Sequence, residues 1–142
     1  MTTNTRPAQW RSIVPLYIHL GFELDALDDG RSQVRLGFQP HLGNSRGEVH
    51  GGTVAAIIDA AMSQAVRTLV DLEMGVATMT MNLNYLSPAK GEIICKGTVL
   101  KRGRNIMFTE AEVFGEDGVL ACRASATYRI LPKTVYDKKT QS

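Results

Sequence analysis

The sequence has few of the features that mark secreted or metal-binding proteins. Only two of its 142 residues are cysteines, Cys95 and Cys122, and they form neither a C-x-x-C pair nor a Cys/His cluster. Two cysteines are too few for a disulfide framework, and their spacing predicts no metal site. This pattern is typical of proteins from a reducing compartment, so we expect a cytoplasmic protein. Cys122 lies on the apolar side of its segment and is predicted to belong to the core.

Long apolar runs are also missing. The first seven residues, Met1 to Pro7, contain no apolar stretch of the kind that a signal peptide requires. The most apolar helical segment is interrupted by Ser63, Gln64 and Arg67, so it falls short of the ~18 residues that a membrane span needs. We therefore expect a soluble protein without a membrane partner.

An excess of either charge is absent too. The chain has 16 basic and 14 acidic side chains, which gives a formal net charge of +2. Such a small charge provides no overall field that would attract nucleic acid or a membrane surface. No segment resembles a DNA-reading helix pair, so nucleic acid is not an expected partner.

The length of the chain predicts one domain that spans residues 1–142. Internal repeats and low-complexity tracts are absent from the sequence. The polar ends, residues 1–6 and 137–142, are predicted to be disordered because they offer little apolar surface to bury.

Hydrophobic periodicity predicts an α+β domain. Apolar residues recur every three or four positions from Thr53 to about Val70, which indicates one long helix with a buried side. Six segments have the alternation or composition of strands, and turn residues separate several of them. The predicted strands cover 21–27, 32–38, 78–87, 92–100, 106–114 and 119–130. A single antiparallel sheet with the helix on one face follows, and a second subunit is expected on the other face.

The N-terminal part of the chain contains two prolines that suggest local boundaries. Pro7 to Val14 is predicted to form a short helix that ends at Pro15, because a residue before proline is disfavoured in the α region. In the strand that follows the long helix, Thr78, Thr80, Asn82 and Asn84 are predicted to share one face.

Polar groups are concentrated at the start of the long helix. Asn44 and His50 precede it, the pair Gly51-Gly52 stands where it begins, and Asp59 follows about two turns later. Free N–H groups at a helix N-terminus can stabilise developing negative charge. Glycines there let a substrate approach the backbone closely. The neighbours of Asp59 are small, which leaves room for a ligand or for another backbone.

At these spacings the sequence resembles the hotdog-fold acyl-CoA thioesterases of the phenylacetate-type (PaaI-like) family. Three motifs carry the resemblance: His50-Gly51-Gly52, Asp59 nine positions after the histidine, and Tyr85-Leu86-Ser87-Pro88-Ala89 after the next strand. The resemblance extends from about Pro15 to Leu131. It implies a sheet wrapped round one central helix, and dimers or dimers of dimers with active sites at the subunit interface.

The resemblance also implies a role for each residue that matches. Asp59 is expected to be the catalytic carboxylate, and the backbone N–H of Gly51 is expected to polarise the thioester carbonyl. Asn44 is expected to position water or substrate, His50 to brace the loop, and Thr78 to enter the site from another subunit. Ser63 matches a polar position of some relatives, and Gly52 is expected to contact substrate. No cofactor or metal is implied, because coenzyme A is part of the substrate.

Each of these residues also has an ordinary structural interpretation. Asn44 beside Gly43 is a common turn residue, His50 is more often a structural hydrogen-bonding group than a catalyst, and Thr78 is common in strands. Asp59 is less easily explained in this way. The helix dipole stabilises a carboxylate in the first turn, and Asp59 lies beyond that turn.

Three basic residues are candidates for the phosphates of coenzyme A. Arg102 and Arg104 lie in a predicted hairpin turn, and Lys90 follows the Ser-Pro-Ala segment. Their structural alternative is a solvated surface.

The predicted function is hydrolysis of an acyl- or aryl-CoA thioester, with Asp59 as a general base or as a nucleophile. The alternatives are a non-catalytic acyl-CoA-binding protein of the same fold, or a hotdog hydratase or dehydratase.

Overall fold

The computed structural model describes residues 9–132, which form a six-stranded antiparallel sheet and one long helix. The predicted disordered ends, residues 1–6 and 137–142, lie outside this range. The elements in chain order are α1 (Pro15–Leu20), β1 (Glu23–Asp28), β2 (Arg31–Leu36), a short 3₁₀ helix (Pro40–Leu42), α2 (Gly51–Arg67), β3 (Gly75–Tyr85), β4 (Ile93–Arg102), β5 (Ile106–Phe114) and β6 (Leu120–Leu131). The α+β class, the six strands and the long helix are confirmed.

The sheet has the strand order β1-β2-β4-β5-β6-β3, and all of its neighbouring strands are antiparallel. The helix α2 packs on one face of this sheet, and its buried side chains form the centre of the core. Those side chains include Val54, Ile57, Ile58, Met62 and Val66. This strand order leaves β1 and β3 as the two edges of the sheet.

The middle of α2 approaches the sheet closely at Gly97 of β4. A methyl group added at Gly97 would lie 2.7 Å from the backbone carbonyl of Ala61. The Ser32 hydroxyl of β2 also donates a hydrogen bond to the Ala61 carbonyl oxygen. Only glycine fits at position 97, so the depth of the helix on the sheet is fixed at this point.

The prediction of a helix that ends at Pro15 is wrong. The described residues before Pro15 are not helical, and Pro15 is instead the first residue of α1. Proline suits a first helical position, where its ring fixes φ and its missing N–H has no intrahelical partner. Val14 is extended, as expected for a residue before proline.

The predicted alternation along β3 is wrong at one point, because the strand has a β-bulge. Thr78 pairs with Tyr128, whereas Thr80 pairs with Thr127, which leaves Met79 as the extra residue. Thr80 and Thr127 share a hydrogen bond of 2.7 Å. A bulge changes which face successive residues occupy, so Thr78 lies on the helix side with Met81 and Leu83, and Thr80 lies on the other side.

No helix within residues 9–132 is long and apolar enough to cross a bilayer.

Candidate active site

The loop that leads into α2 is organised by Asn44. Its side-chain carbonyl oxygen accepts hydrogen bonds from the backbone N–H groups of Arg46, at 2.9 Å, and Glu48, at 3.1 Å. Its own N–H donates to the Glu48 carbonyl oxygen at 2.7 Å. The side-chain oxygen is therefore engaged within the loop, and the side-chain NH₂ is the part of Asn44 that can donate to water or substrate.

His50 caps the helix that follows. Its Nδ1 accepts a hydrogen bond of 2.7 Å from the backbone N–H of Gly52, while its own N–H donates to the Leu42 carbonyl oxygen. This contact satisfies one of the free donors of the first helical turn. The N–H of Gly52 is thus already engaged, although the residue itself lines the cavity described below.

Gly51 offers the open backbone donor. It is the first residue of α2, and its N–H has no hydrogen-bond acceptor among the described residues. Its carbonyl oxygen accepts a 2.7 Å hydrogen bond from the hydroxyl of Tyr85, the last residue of β3. Partial burial raises the pKa of Tyr85, so the phenol stays protonated as a donor. Tyr85 therefore anchors the first turn at Gly51.

A cavity of ≈ 590 Å³ opens at this end of the helix. Its size lies within the range that holds small ligands, roughly 300–1,000 Å³. Polar residues at its wall include Asn44 and the ion-paired Arg46 and Glu48, and Gly51 also lines it. The apolar part of its wall includes Val49, Val54, Leu86, Pro88, Ala89 and Ala121. A donor at the helix start thus faces a mostly apolar space, which suits the carbonyl of an acyl group.

Asp59 belongs to a second cluster in the middle of α2. Its Oδ1 accepts hydrogen bonds from the Thr78 hydroxyl, at 2.8 Å, and from the Tyr128 hydroxyl, at 2.7 Å. Its Oδ2 has no hydrogen-bond partner in the part of the chain that the structure describes. The carboxylate is half-buried, with one oxygen held and the other open. Such an oxygen can take a proton or attack a carbonyl carbon.

The two clusters are separated within one chain. Gly51 and Asp59 are eight residues apart in the same helix, which corresponds to about 12 Å along its axis. Asp59 does not line the cavity at Gly51. A single carbonyl group therefore cannot contact the Gly51 N–H and the Asp59 carboxylate of the same chain at once.

The expectation that Thr78 meets the site from another subunit is corrected in one respect. The hydroxyl that contacts Asp59 is that of Thr78 in the same chain. The β3 bulge explains this contact, because it places Thr78 on the helix side of the sheet opposite Tyr128. Asp59 and Thr78 therefore form one unit.

Ser63 lies one turn after Asp59 and contacts α1. Its hydroxyl lies 3.2 Å from the Tyr17 hydroxyl and 3.2 Å from the Ala60 carbonyl oxygen. Burial is the main reason that the pKa of Tyr17 is raised, and the Ser63 contact opposes this shift. These contacts give Ser63 a structural explanation, and its predicted role in substrate binding is untested.

The three basic candidates lie at opposite ends of α2. Lys90 is exposed and follows Ala89, which lines the cavity at Gly51. Arg102 and Arg104 line a separate cavity of ≈ 220 Å³ with Leu69 and Val70, beyond the C-terminal end of α2. Within one chain, only Lys90 is near the Gly51 end.

Two residues of these clusters, Tyr85 and Tyr128, have contacts that no sequence pattern predicted. Tyr85 was part of the family motif, but the motif gave no reason to assign its hydroxyl to Gly51. Tyr128 lies 69 positions from Asp59, and its hydroxyl contact depends on the pairing of β3 with β6. A buried tyrosine in a strand carries no local signal of such a contact.

Comparison with known proteins identifies the family. The sequence model of the thioesterase superfamily matches residues 46–122, which include α2 with Gly51 and Asp59, and Thr78 of β3. In structure, the chain is similar to a thioesterase family protein from Silicibacter pomeroyi, with a TM-score of 0.80 and 27% identity over 83% of this chain and 90% of that chain.

Two sequence relatives agree with this match. A protein of Halobacterium salinarum that is named an esterase by inference is 33% identical over 66% of each chain. A medium/long-chain acyl-CoA thioesterase of Salmonella typhimurium is 24% identical over 82% of this chain and 86% of that one. The family match covers more than half of the sequence and includes Gly51, Asp59 and Thr78. The chain is therefore a hotdog-fold member of the thioesterase superfamily.

Proposed function

We propose that this protein is an acyl-CoA thioesterase whose active sites form between two copies of the chain. One copy supplies the Gly51 N–H and the Asn44 side chain, and its partner supplies Asp59 and Thr78. The observation that carries the proposal is the separation of about 12 Å between Gly51 and Asp59 along one helix. The family resemblance implies that the Gly51 N–H and the Asp59 carboxylate act on the same thioester, and a second copy of the chain can bring them together.

In this site the thioester carbonyl oxygen accepts a hydrogen bond from the Gly51 N–H. Negative charge develops on that oxygen as a nucleophile adds to the carbonyl carbon, and the helix N-terminus stabilises it. The apolar walls of the ≈ 590 Å³ cavity exclude water from part of the substrate. The side-chain NH₂ of Asn44 can donate a hydrogen bond to a water molecule or to the substrate.

Asp59 acts through its open oxygen, Oδ2. As a general base it removes a proton from water, the resulting hydroxide adds to the carbonyl carbon, and the C–S bond breaks to release the thiol of coenzyme A after protonation. As a nucleophile it adds directly, releases the thiolate and forms an anhydride that water then hydrolyses. Both routes use the same atom, and the open Oδ2 supports catalysis over simple acyl-CoA binding.

Two further parts of the proposal come from the family resemblance. We propose that the protein belongs to the phenylacetate-type group and works in the cytoplasm as a homodimer or a dimer of dimers. Lys90 is the basic candidate for a coenzyme A phosphate near the Gly51 end. An analytical ultracentrifugation experiment tests the assembly, because an active monomer contradicts a shared site.

The test of function is steady-state thiol release from a panel of aryl-, medium-chain and long-chain acyl-CoA thioesters. Asp59→Asn is expected to lower kcat by at least ~10²-fold on the best substrate, because it removes the proton acceptor or nucleophile. Asp28→Asn is the matched control, since Asp28 is exposed on the end of β1. Equal activity of the parent and of Asp59→Asn contradicts the mechanism, and a parent inactive on the whole panel contradicts the function.

A further inference from the structure

Tyr128 is the most deeply buried group that touches Asp59. It lies on β6 with 0% of its surface exposed, directly opposite Thr78 of β3. Its hydroxyl donates a 2.7 Å hydrogen bond to Asp59 Oδ1 and lies 3.3 Å from the backbone carbonyl oxygen of the same residue. Tyr128 therefore contacts both the side chain and the backbone of Asp59.

The phenol of Tyr128 is held in its neutral, donating form. Burial raises the pKa of Tyr128 far above its ordinary value, and the negative charge of Asp59 raises it further. A buried hydroxyl needs a partner, and here that partner is a carboxylate, which makes the hydrogen bond stronger than one between neutral groups. The phenol of Tyr128 therefore stays protonated, and able to donate, at neutral pH.

The two carboxylate oxygens of Asp59 differ in their hydrogen bonds. Thr78 and Tyr128 both donate to Oδ1, and neither contacts Oδ2. Thr78 comes from an edge strand and is exposed, whereas Tyr128 comes from an interior strand and is buried. A fully packed donor loses little conformational entropy when it holds the carboxylate, so Tyr128 is the more rigid of the two supports.

The groups that face the carboxylate come from three elements. Thr78 lies on β3 and Tyr128 on β6, and Tyr17 of α1 is close enough for the Asp59 charge to raise its pKa, after the larger effect of burial. Tyr17 directs its hydroxyl to Ser63 and not to Asp59. Tyr128 is therefore the buried side chain that fixes the orientation of the carboxylate.

We propose that Tyr128 is a positioning residue for the thioesterase reaction: it fixes Oδ1 of Asp59, so that Oδ2 is presented to the thioester or to water. This inference rests on the proposed function, in which Asp59 is the reacting group. Without the phenol, the carboxylate has one exposed support and a wider range of orientations. Loss of orientation lowers turnover more than it changes substrate binding.

The first experiment reads the carboxylate directly. The ¹³C signal of the Asp59 carboxyl carbon is assigned by its absence in Asp59→Asn and is followed by NMR as the pH is varied. In Tyr128→Phe this carboxyl is expected to titrate at higher pH than in the parent, because a donor that favours the charged form has been removed. An unchanged titration overturns the proposal, and the measurement does not require activity.

The second experiment measures kcat and KM on the best acyl-CoA substrate. Tyr128→Phe is expected to reduce kcat roughly ten- to hundredfold with little change in KM, as expected for the loss of a hydrogen bond to a charged group. The acidic limb of the pH profile of kcat/KM is expected to move to higher pH in parallel with the NMR titration. A parental kcat in a folded Tyr128→Phe protein overturns the proposal.

Thr109→Val is the matched control, because it also removes one buried hydroxyl next to β6. Thr109 is 1% exposed, and its hydroxyl donates to the Ala126 carbonyl oxygen without touching Asp59. We expect Thr109→Val to lower the free energy of unfolding but to leave the Asp59 titration and the pH profile unchanged. A shift as large as that of Tyr128→Phe shows a general effect of destabilisation and overturns the proposal.

A second substitution covers the case in which Tyr128→Phe does not fold. Replacement of Tyr128 by 3-fluorotyrosine keeps the hydroxyl and makes it a stronger donor. The Asp59 carboxyl is then expected to titrate at lower pH than in the parent, and an unchanged titration overturns the proposal. If the parent hydrolyses no thioester, the proposed function fails, while the two titrations still decide whether Tyr128 holds the carboxylate.

Discussion

The first turn of α2 and its middle differ in how their polar groups are held. At the first turn, the contacts are local: Asn44 bonds to residues two and four positions away, and His50 bonds to a residue two positions away. In the middle of the helix, Asp59 is held by Thr78 and Tyr128, which are 19 and 69 positions away. The loop before Gly51 is held mostly by its own residues, with Tyr85 of β3 as a more distant support, whereas the Asp59 carboxylate is held by residues of the sheet.

This difference has a consequence for function. Most hydrogen bonds of the loop before Gly51 join residues within that loop, and Tyr85 of β3 adds one contact from farther along the chain. The orientation of Asp59 instead requires the correct register of β3 against β6 and the bulge between Thr78 and Thr80. Substitutions far from the motif can therefore disturb the carboxylate while they leave the Gly51 end intact.

The strongest test of this separation is subunit complementation. Asp59→Asn removes the carboxylate, and Gly51→Val places a side chain where the substrate carbonyl would approach the backbone N–H, so each variant is expected to disable one half of every shared site and to be inactive. Mixed after denaturation and refolding, they are expected to regain about a quarter of the parental activity, since half of the dimers are mixed and each has one intact site. Thiol release from acyl-CoA measures the recovery.

The control for complementation is Asp59→Asn mixed with a second inactive variant on the same half, Asp59→Ala. That mixture has no intact site and is expected to stay inactive. If the Asp59→Asn and Gly51→Val mixture also remains inactive although sedimentation shows mixed dimers, the two halves do not come from different copies.

The next largest effect is expected at Thr78, the exposed hydrogen-bond donor to Asp59. Thr78→Val removes the donor to Oδ1 that comes from β3 and is expected to lower kcat by roughly tenfold. Thr80→Val is the matched control, because its hydroxyl bonds to Thr127 on the other face of the sheet. Equal kcat values for the two variants contradict the role of the bulge in placing Thr78.

A smaller effect is expected at Tyr85, on the Gly51 side of the comparison. Tyr85→Phe removes the donor to the Gly51 carbonyl oxygen and is expected to lower kcat/KM by roughly two- to tenfold, because one neutral hydrogen bond is lost. Thermal unfolding should change little, since Tyr85 is 57% exposed. A parental kcat/KM shows that the first turn is held without this contact.

The smallest effect is expected on stability at the helix cap. His50→Ala removes the acceptor of the Gly52 N–H and is expected to lower the free energy of unfolding by about 1 kcal/mol. Chemical denaturation measures this change. His41→Ala is the control, since the exposed His41 lies within the short 3₁₀ helix and caps no N–H of α2. Equal changes in both variants contradict the capping role.

Most of the fold follows from local patterns in the sequence. The 3.6-residue period identified α2, turn residues separated the strands, and β5 was predicted with the bounds that the structure shows. The helix boundary at Pro15 did not follow from the local pattern, since a proline can follow the end of one helix or begin another. The outcome at Pro15 depended on the packing of Tyr17 against the core, which a local pattern does not contain.

The sequence by itself determined α2, the strand segments and the loop before Gly51, because their hydrophobic periods, turn residues and most of the loop's hydrogen bonds involve residues only a few positions apart. The spacing from His50 also marked Asp59 as the candidate catalytic carboxylate. Only the tertiary structure decided that Thr78 and Tyr128 hold one oxygen of Asp59, because strand pairing and a single bulge set that contact. The same structure separated Asp59 from Gly51, since a rigid helix keeps residues eight positions apart at a fixed distance.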